Sequence, residues 1–477
     1  MTATTATSGT HRWTVVTAAL LTLAALPAFA SRIALASERI ALSYNEGWNA
    51  LHADRLRQGL ALYPSADGLI VNNYPPVSFH LVTLLGGDGD LVRVLRALAL
   101  LGLVGTIVLS ALTVTRLGGS RAAGWLAGAL LFATFSIHLG EYVAMADPSL
   151  VAHGLMAVAM YIAVRWWESD RMLRLALVFQ LIAGMTKSNL VAFPLAMALA
   201  LLLENRSRAL KLIAVGVPLG MLALALLRLG YGAEAIRSIL ATRPSQLATA
   251  LRKAWVLLPP MAIPIVGGLM GGIAVFRRPV ERLFVIYLVL GLATGFYFSG
   301  AAGVNMNVYF DAVIASAVLV GLLASRLATA TAPRWLVYAP LVLGLSLARP
   351  AWWSWSDSWG ILRGGRLAQR AADTAEDVRV LAASSGPVAC EMLSLCYWAG
   401  RGFEMDFFNA VQLYRTGRAG SDNIHARVAS GRYGMLQVIK VTPYRFGGPP
   451  ADSTDVLADY REERRSTNGV ILVRRTR

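Results

Sequence analysis

Apolar residues run in long, nearly unbroken stretches along the first three quarters of the chain, and the charged residues collect in the short gaps between them. A helix needs about 20 such residues to cross ~30 Å of hydrocarbon. Eleven stretches approach that length: 13–35, 91–115, 122–138, 148–164, 175–186, 189–203, 212–230, 254–276, 283–299, 308–325 and 335–350. The fifth is short and runs through Lys187 into the sixth, so the pair also fits a re-entrant hairpin. The segment from Pro75 to Gly86 fits a further dip into the membrane, which puts the count between 11 and 13.

After residue 350 the pattern changes. The tail, 351–477, is polar and has only short apolar runs. Val388 to Met392, Gly434 to Val441 and Gly469 to Val473 read as strands, and Asn409 to Thr416 and Ser421 to Ser430 as helices. The expectation is a mainly α, polytopic helical bundle over 13–350, preceded by a short tip at 1–12 and followed by a small α/β domain.

Composition agrees with the span pattern. The chain has 477 residues, 56% of them hydrophobic and only 15% charged, with a mean hydropathy of +0.55. A soluble protein of this size needs roughly a quarter of its residues charged. The net charge of +17 would point to nucleic acid in a soluble chain, but here the cations sort by loop. With loops assigned alternately, one side carries 14 Lys and Arg on 51 residues and the other, which includes the first long loop 36–90, carries 8 on 97. The positive-inside rule then places the N-terminus in the cytoplasm and the tail outside. Trp352, Trp353, Trp355 and Trp359 follow the last span, as expected where chain leaves lipid. Cys390 and Cys396 would lie on the oxidising side, where a disulfide is allowed.

Ionisable groups at span ends are the default site candidates, because burying them is costly unless something offsets the charge. On the outer side they are few: Glu46 in the first loop, Asp147 in the second and Lys187 in the third. Each also has a structural explanation. Glu46 can be a solvated loop acid, and Asp147 before Pro148 is a helix N-cap signal. Lys187 can snorkel to the interface. Arg93 and Arg96, one helical turn apart, can meet an anion or pair with Asp88 and Asp90. The histidines have no metal spacing, and no nucleotide-binding motif is present.

The order of Asn45-Glu46, Tyr74-Pro75-Pro76, Ala146-Asp147-Pro148 and Thr186-Lys187-Ser188 with Pro194 resembles the GT-C membrane glycosyltransferases, in particular the protein O-mannosyltransferase and lipid A aminoarabinose transferase group. The resemblance covers roughly 13–350 in layout, and the tail resembles the periplasmic domain that many bacterial members append. It implies a multi-pass protein of the bacterial inner membrane that takes a hexose or pentose from a polyprenyl-phosphate donor and inverts the anomeric centre. The acceptor would be a lipid, glycan or protein. Glu46 is then the base candidate, and Asp147 orients the acceptor, holds Lys187 or shares a divalent metal with Glu46. Lys187, Arg93 and Arg96 are the candidates for the donor phosphate, and Asn45, Tyr74, Asn305, Asn307 and Tyr309 for substrate contacts. Two departures are plain: Asn45 stands where the family usually has aspartate, and Tyr74 where a basic residue often precedes the prolines. The competing readings are a transporter or flippase of lipid-linked sugars, and an oligosaccharide ligase using Arg237, Arg243 and Arg252.

Overall fold

In a computed structural model the described residues are 3–65, 68–240, 245–276, 278–329, 348–415, 417, 420, 423–441 and 457–475. The long apolar stretches become helices α1 (Ala3–Ser37), α4 (Leu91–Arg116), α6 (Pro148–Arg165), α9 (Arg206–Leu240), α12 (Pro279–Ser299) and α13 (Phe310–Thr329). Among the described residues six helices are long and apolar enough to cross a membrane, and the pair α10 (Leu247–Leu257) and α11 (Ala262–Val275), bent by 48°, makes a seventh if it counts as one span. Three expected spans are shorter than that: α5 (Arg121–Ala133), α7 (Asp170–Gly184) and α8 (Ala192–Glu204). The apolar run at α5 reaches its expected end only by widening into a π-helix, Thr134–His138. The stretch 335–350 falls largely outside the described residues. The first long loop is itself structured, with α2 (Tyr44–Arg57) and α3 (Val77–Gly86), a ten-residue apolar helix whose Leu84 and Leu85 are exposed.

Small residues set how closely the spans approach, as expected where van der Waals packing rather than water drives helix association. At the α4–α6 crossing, a Cβ on Gly154 would lie 2.8 Å from the Cα of Gly102. Any side chain there would push the two helices apart. α13 is the most enclosed of the spans, with 89% of its apolar window buried, and its Phe310 stacks edge-on against Phe135 and Tyr142.

Towards the C-terminus the chain forms α14 (Ala348–Leu362), α15 (Gly365–Ala382), α16 (Leu393–Trp398), α17 (Phe407–Arg415) and α18 (Ile424–Ala429). Four strands, β1 (Val388–Cys390), β2 (Met435–Val438), β3 (Tyr460–Ser466) and β4 (Gly469–Arg474), pair in the order β1-β2-β4-β3. β1 and β2 are parallel, with Ala389 opposite Leu436, and the other pairs are antiparallel. Three expected strands and two expected helices are present: β1, β2 and α18 are shorter than expected, β4 runs one residue further, and α17 starts two residues earlier. β3 was missed because YREERRS is an edge strand whose charges face outward. Cys390 and Cys396 form a disulfide.

This region docks on the bundle through α16. Trp398 donates to Asp90, the N-cap of α4, at 3.1 Å, and the Leu91 amide donates to the Tyr397 hydroxyl at 3.0 Å. Trp48 of α2 donates to Asp406 at 2.8 Å. Gly47 makes the approach possible, because a Cβ there would fall on the backbone nitrogen of Ser394.

Candidate active site

The turn before α2 places Asn45 and Glu46 in one helical start, capped by Ser43, whose hydroxyl accepts from the Asn45 amide at 3.4 Å. Their side chains then diverge. Glu46 is fully buried and its carboxylate is saturated: Oε1 accepts from Arg96 Nε at 2.8 Å and the Ala146 amide at 2.9 Å. Oε2 accepts from Arg96 at 2.7 Å and the Leu42 amide at 3.1 Å. Arg96 spends its remaining donors on the carbonyls of Ala36, Glu38 and Ile40. The pair ties α1, α2, α4 and the segment between α5 and α6 into one block, and neither residue lines the cavity described below.

Asn45 points the other way. Its Nδ2 donates to Asp147 Oδ2 at 3.0 Å, while Asp147 Oδ1 caps α6 by accepting from the Ser149 amide at 2.8 Å. The helix-cap explanation of Asp147 is therefore realised, and a second contact accompanies it. Lys187 Nζ lies 3.6 Å from Asp147 Oδ1 and 3.7 Å from the centre of the Tyr74 ring, a cation–π placement. The turn that carries Lys187 is held by its amide on the Ala183 carbonyl at 2.9 Å and by Val77, which donates to Met185 at 3.2 Å. Tyr74 in turn leans edge-on against Trp48, with ring centres 4.8 Å apart.

These groups form one wall of a cavity of about 520 Å³, within the range of small-molecule sites. Asn45, Tyr74, Lys187, Asn305 and Asn307 line it. Asn305 donates to Glu141 at 2.8 Å and Asn307 to Ser149 Oγ at 3.1 Å. Besides Glu46 and Arg96, three residues named from the sequence do not line it: Asp147 lies behind Asn45 and Lys187, and Tyr309 and Arg93 are elsewhere. Tyr309 is completely buried with its ring against Gly295, so it is core. Arg93 is half exposed beside Asp90 at 3.9 Å, and Arg39 faces the same carboxylate at 3.4 Å. Of the ligase candidates, Arg237 pairs with Glu234 and Arg243 lies outside the described residues.

Three charged cavity residues were not singled out from the sequence: Arg32 of α1, Arg370 of α15 and Glu141 between α5 and α6. Arg370 donates to the Ala41 carbonyl at 3.3 Å. Among the described residues no carboxylate lies within 4 Å of the guanidinium of Arg32 or Arg370. Burial first, and then the like charge of Arg32, lowers Arg370 from the ordinary arginine value. With Lys187, the cavity therefore holds three cations and, among the described lining residues, a single carboxylate, Glu141. Such a balance favours an anionic ligand. A divalent metal shared by Glu46 and Asp147 does not fit, because Arg96 and two amides already occupy the Glu46 oxygens. Among the described residues there is no cluster of three or more His, Cys, Asp or Glu suited to a metal.

No protein-family model matches this sequence, and no curated protein matches it significantly. Solved structures do match. The crystal structure of ArnT from Cupriavidus metallidurans in the apo state aligns with a TM-score of 0.54 at 15% identity, covering 90% of this chain and 92% of that one. The structure of the same protein bound to undecaprenyl phosphate aligns with a TM-score of 0.57 at 15% identity, covering 95% and 97%. At this identity the likeness shows a shared fold, the ArnT-like GT-C architecture, across nearly the whole length of both chains.

Proposed function

We propose that this chain is an integral membrane glycosyltransferase. It moves a hexose or pentose from a polyprenyl-phosphate-linked donor to a hydroxyl of a lipid, glycan or protein acceptor at the outer leaflet, with inversion at the anomeric carbon. The observation that carries this is the trio Arg32, Lys187 and Arg370 around one cavity, in a fold shared with a protein crystallised with undecaprenyl phosphate. Fixed cations stabilise the charge that develops on a leaving phosphate. Lys187 is the best prepared of the three, since Asp147 and Tyr74 hold its ammonium in place. The apolar side of the cavity, with Ile239 and Leu240 of α9 and Phe298 of α12, suits the first units of an isoprenoid chain.

In this reading Glu46 and Arg96 brace the loop rather than meet substrate, and Asp147 positions Asn45 and Lys187. The positive-inside count supports a cytoplasmic N-terminus and an outer C-terminal region in a bacterial inner membrane. The test is binding of undecaprenyl phosphate by the full chain in lipid nanodiscs. A charged hydrogen bond contributes about 1.5–3 kcal/mol, so Lys187→Ala is expected to weaken binding by about 10- to 150-fold. Arg93→Ala is expected to leave it unchanged. Absence of binding, or sensitivity to Arg93 and not to Lys187, would overturn the assignment.

A further inference from the structure

The chain between α5 and α6 is built in an unusual way. α5 opens into the π-helix Thr134–His138, tightens into a single 3-10 turn at Gly140–Tyr142, and then passes through Ala144 with φ of 55°. Ala144 is the only non-glycine residue with positive φ among the described residues. π-bulges and left-handed non-glycine residues both cost energy and tend to occur where a side chain must be aimed. Here they bring Glu141 to the cavity wall, with its side chain exposed to that space.

One neighbour holds the carboxylate and a second sets its electrostatics. Asn305 donates to Oε1 at 2.8 Å, and Oε2 accepts no hydrogen bond from the described residues. Arg32 lies alongside, in the space that the missing Gly140 side chain leaves: a Cβ there would sit 3.0 Å from Arg32 Nε. Glu46 is saturated, and Asp147 is buried behind Asn45 and Lys187. Glu141 is thus the carboxylate with an oxygen open to the cavity.

We propose that Glu141 is the catalytic base of the transfer, an inference that rests on the glycosyltransferase reading above. A lone pair on its free oxygen takes the proton of the acceptor hydroxyl as that oxygen forms its bond to the anomeric carbon. The bond from that carbon to the phosphate oxygen breaks, and its electron pair leaves on polyprenyl phosphate beside Lys187. Glu141 ends as the neutral acid. Loss of water raises its carboxyl above the ordinary glutamate value, opposed by the Asn305 hydrogen bond and then by Arg32, which makes it a stronger proton acceptor. The titratable groups that face it are Arg32 of α1 and Tyr142 of its own turn.

The experiment uses the full chain in nanodiscs, a panel of radiolabelled undecaprenyl-phosphate hexoses and pentoses, and envelope lipids and glycans as hydroxyl acceptors. Sodium azide serves as an acceptor that needs no deprotonation. Glu141→Gln should lower transfer to hydroxyl acceptors by about a hundredfold or more while transfer to azide stays within tenfold and undecaprenyl phosphate binding within about twofold. Glu141→Asp should recover part of the loss. In the unaltered chain, transfer should rise with pH through a midpoint above the free glutamate value of about 4.3, and that limb should vanish in Glu141→Gln. Hydroxyl transfer within threefold of the parent, or equal loss towards hydroxyl and azide with binding retained, would overturn the base assignment alone. If the unaltered chain turned over no donor in the panel, the glycosyltransferase reading would fall, and this one with it.

Discussion

Replacing Glu46 by glutamine distinguishes a bracing carboxylate from a base. The side chain is 0% exposed and its partner Arg96 is 3% exposed, so the guanidinium would lose its only paired carboxylate among the described residues without gaining access to water. Removing one member of a buried ion pair costs about 3–5 kcal/mol. The neutral amide must also present an NH₂ where the oxygen now accepts either from Arg96 and the Leu42 amide or from Arg96 and the Ala146 amide, so a donor would face donors whichever way it turned. The expected loss shifts the folded-to-unfolded ratio by about two to three and a half powers of ten. It is measured by reversible unfolding in mixed micelles, with residual undecaprenyl phosphate binding assayed below the transition. A double-mutant cycle with Arg96→Gln should return a coupling of at least 1 kcal/mol, since the groups touch directly. Arg96→Lys should not substitute, because one ammonium cannot reach three carbonyls and two carboxylate oxygens. A Glu46→Gln protein of parental stability that had lost turnover a hundredfold would refute this reasoning and restore Glu46 as the base.

Asn45→Asp would set two carboxylates at the 3.0 Å separation now bridged by an amide hydrogen. Like charges that close raise one pKa of the pair. A carboxyl whose folded pKa is raised adds stability at low pH that is lost as pH rises through that value. The variant should therefore approach the parent near pH 4 and fall below it by about 1–3 kcal/mol at pH 7, and a flat difference in unfolding free energy across that range would exclude the pairing. Gly47→Ala should push α16 off α2, because the obstacle is the Ser394 backbone rather than a movable side chain. A cost of about 3 kcal/mol or more is expected, with faster amide exchange over residues 393–398; protection equal to the parent's would show that the interface can give way.

The bundle was readable because a span announces itself through the length of an apolar run, a local property, whereas the ends of α5, α7 and α8 differ from those of the apolar runs because helix ends depend on neighbours. The cluster of Asn45, Tyr74, Asp147 and Lys187 was reached through motif order, yet the same motif hid the divergence of Asn45 and Glu46, whose side chains leave one helical turn in different directions. Arg32 was concealed inside a span and Arg370 inside a polar tail, and no local pattern relates residues 338 positions apart. Glu141 lies six residues before Asp147 in the same loop, but what aims it inward is a π-helix and one left-handed alanine, neither of which has a sequence signature here.

The docking of α16 has a consequence for synthesis. The contact between Trp398 and Asp90 joins residues 308 apart, and that between Arg370 and Ala41 joins residues 329 apart. The first fifth of the chain thus waits for the last quarter before the cavity acquires its third cation and Gly47 its cover. A nascent or truncated chain ending before residue 370 would carry Lys187 and Glu141 in an incomplete wall. In the proposed reading, the complete site would then arrive late and all at once, as a property of the finished polypeptide rather than of its membrane portion.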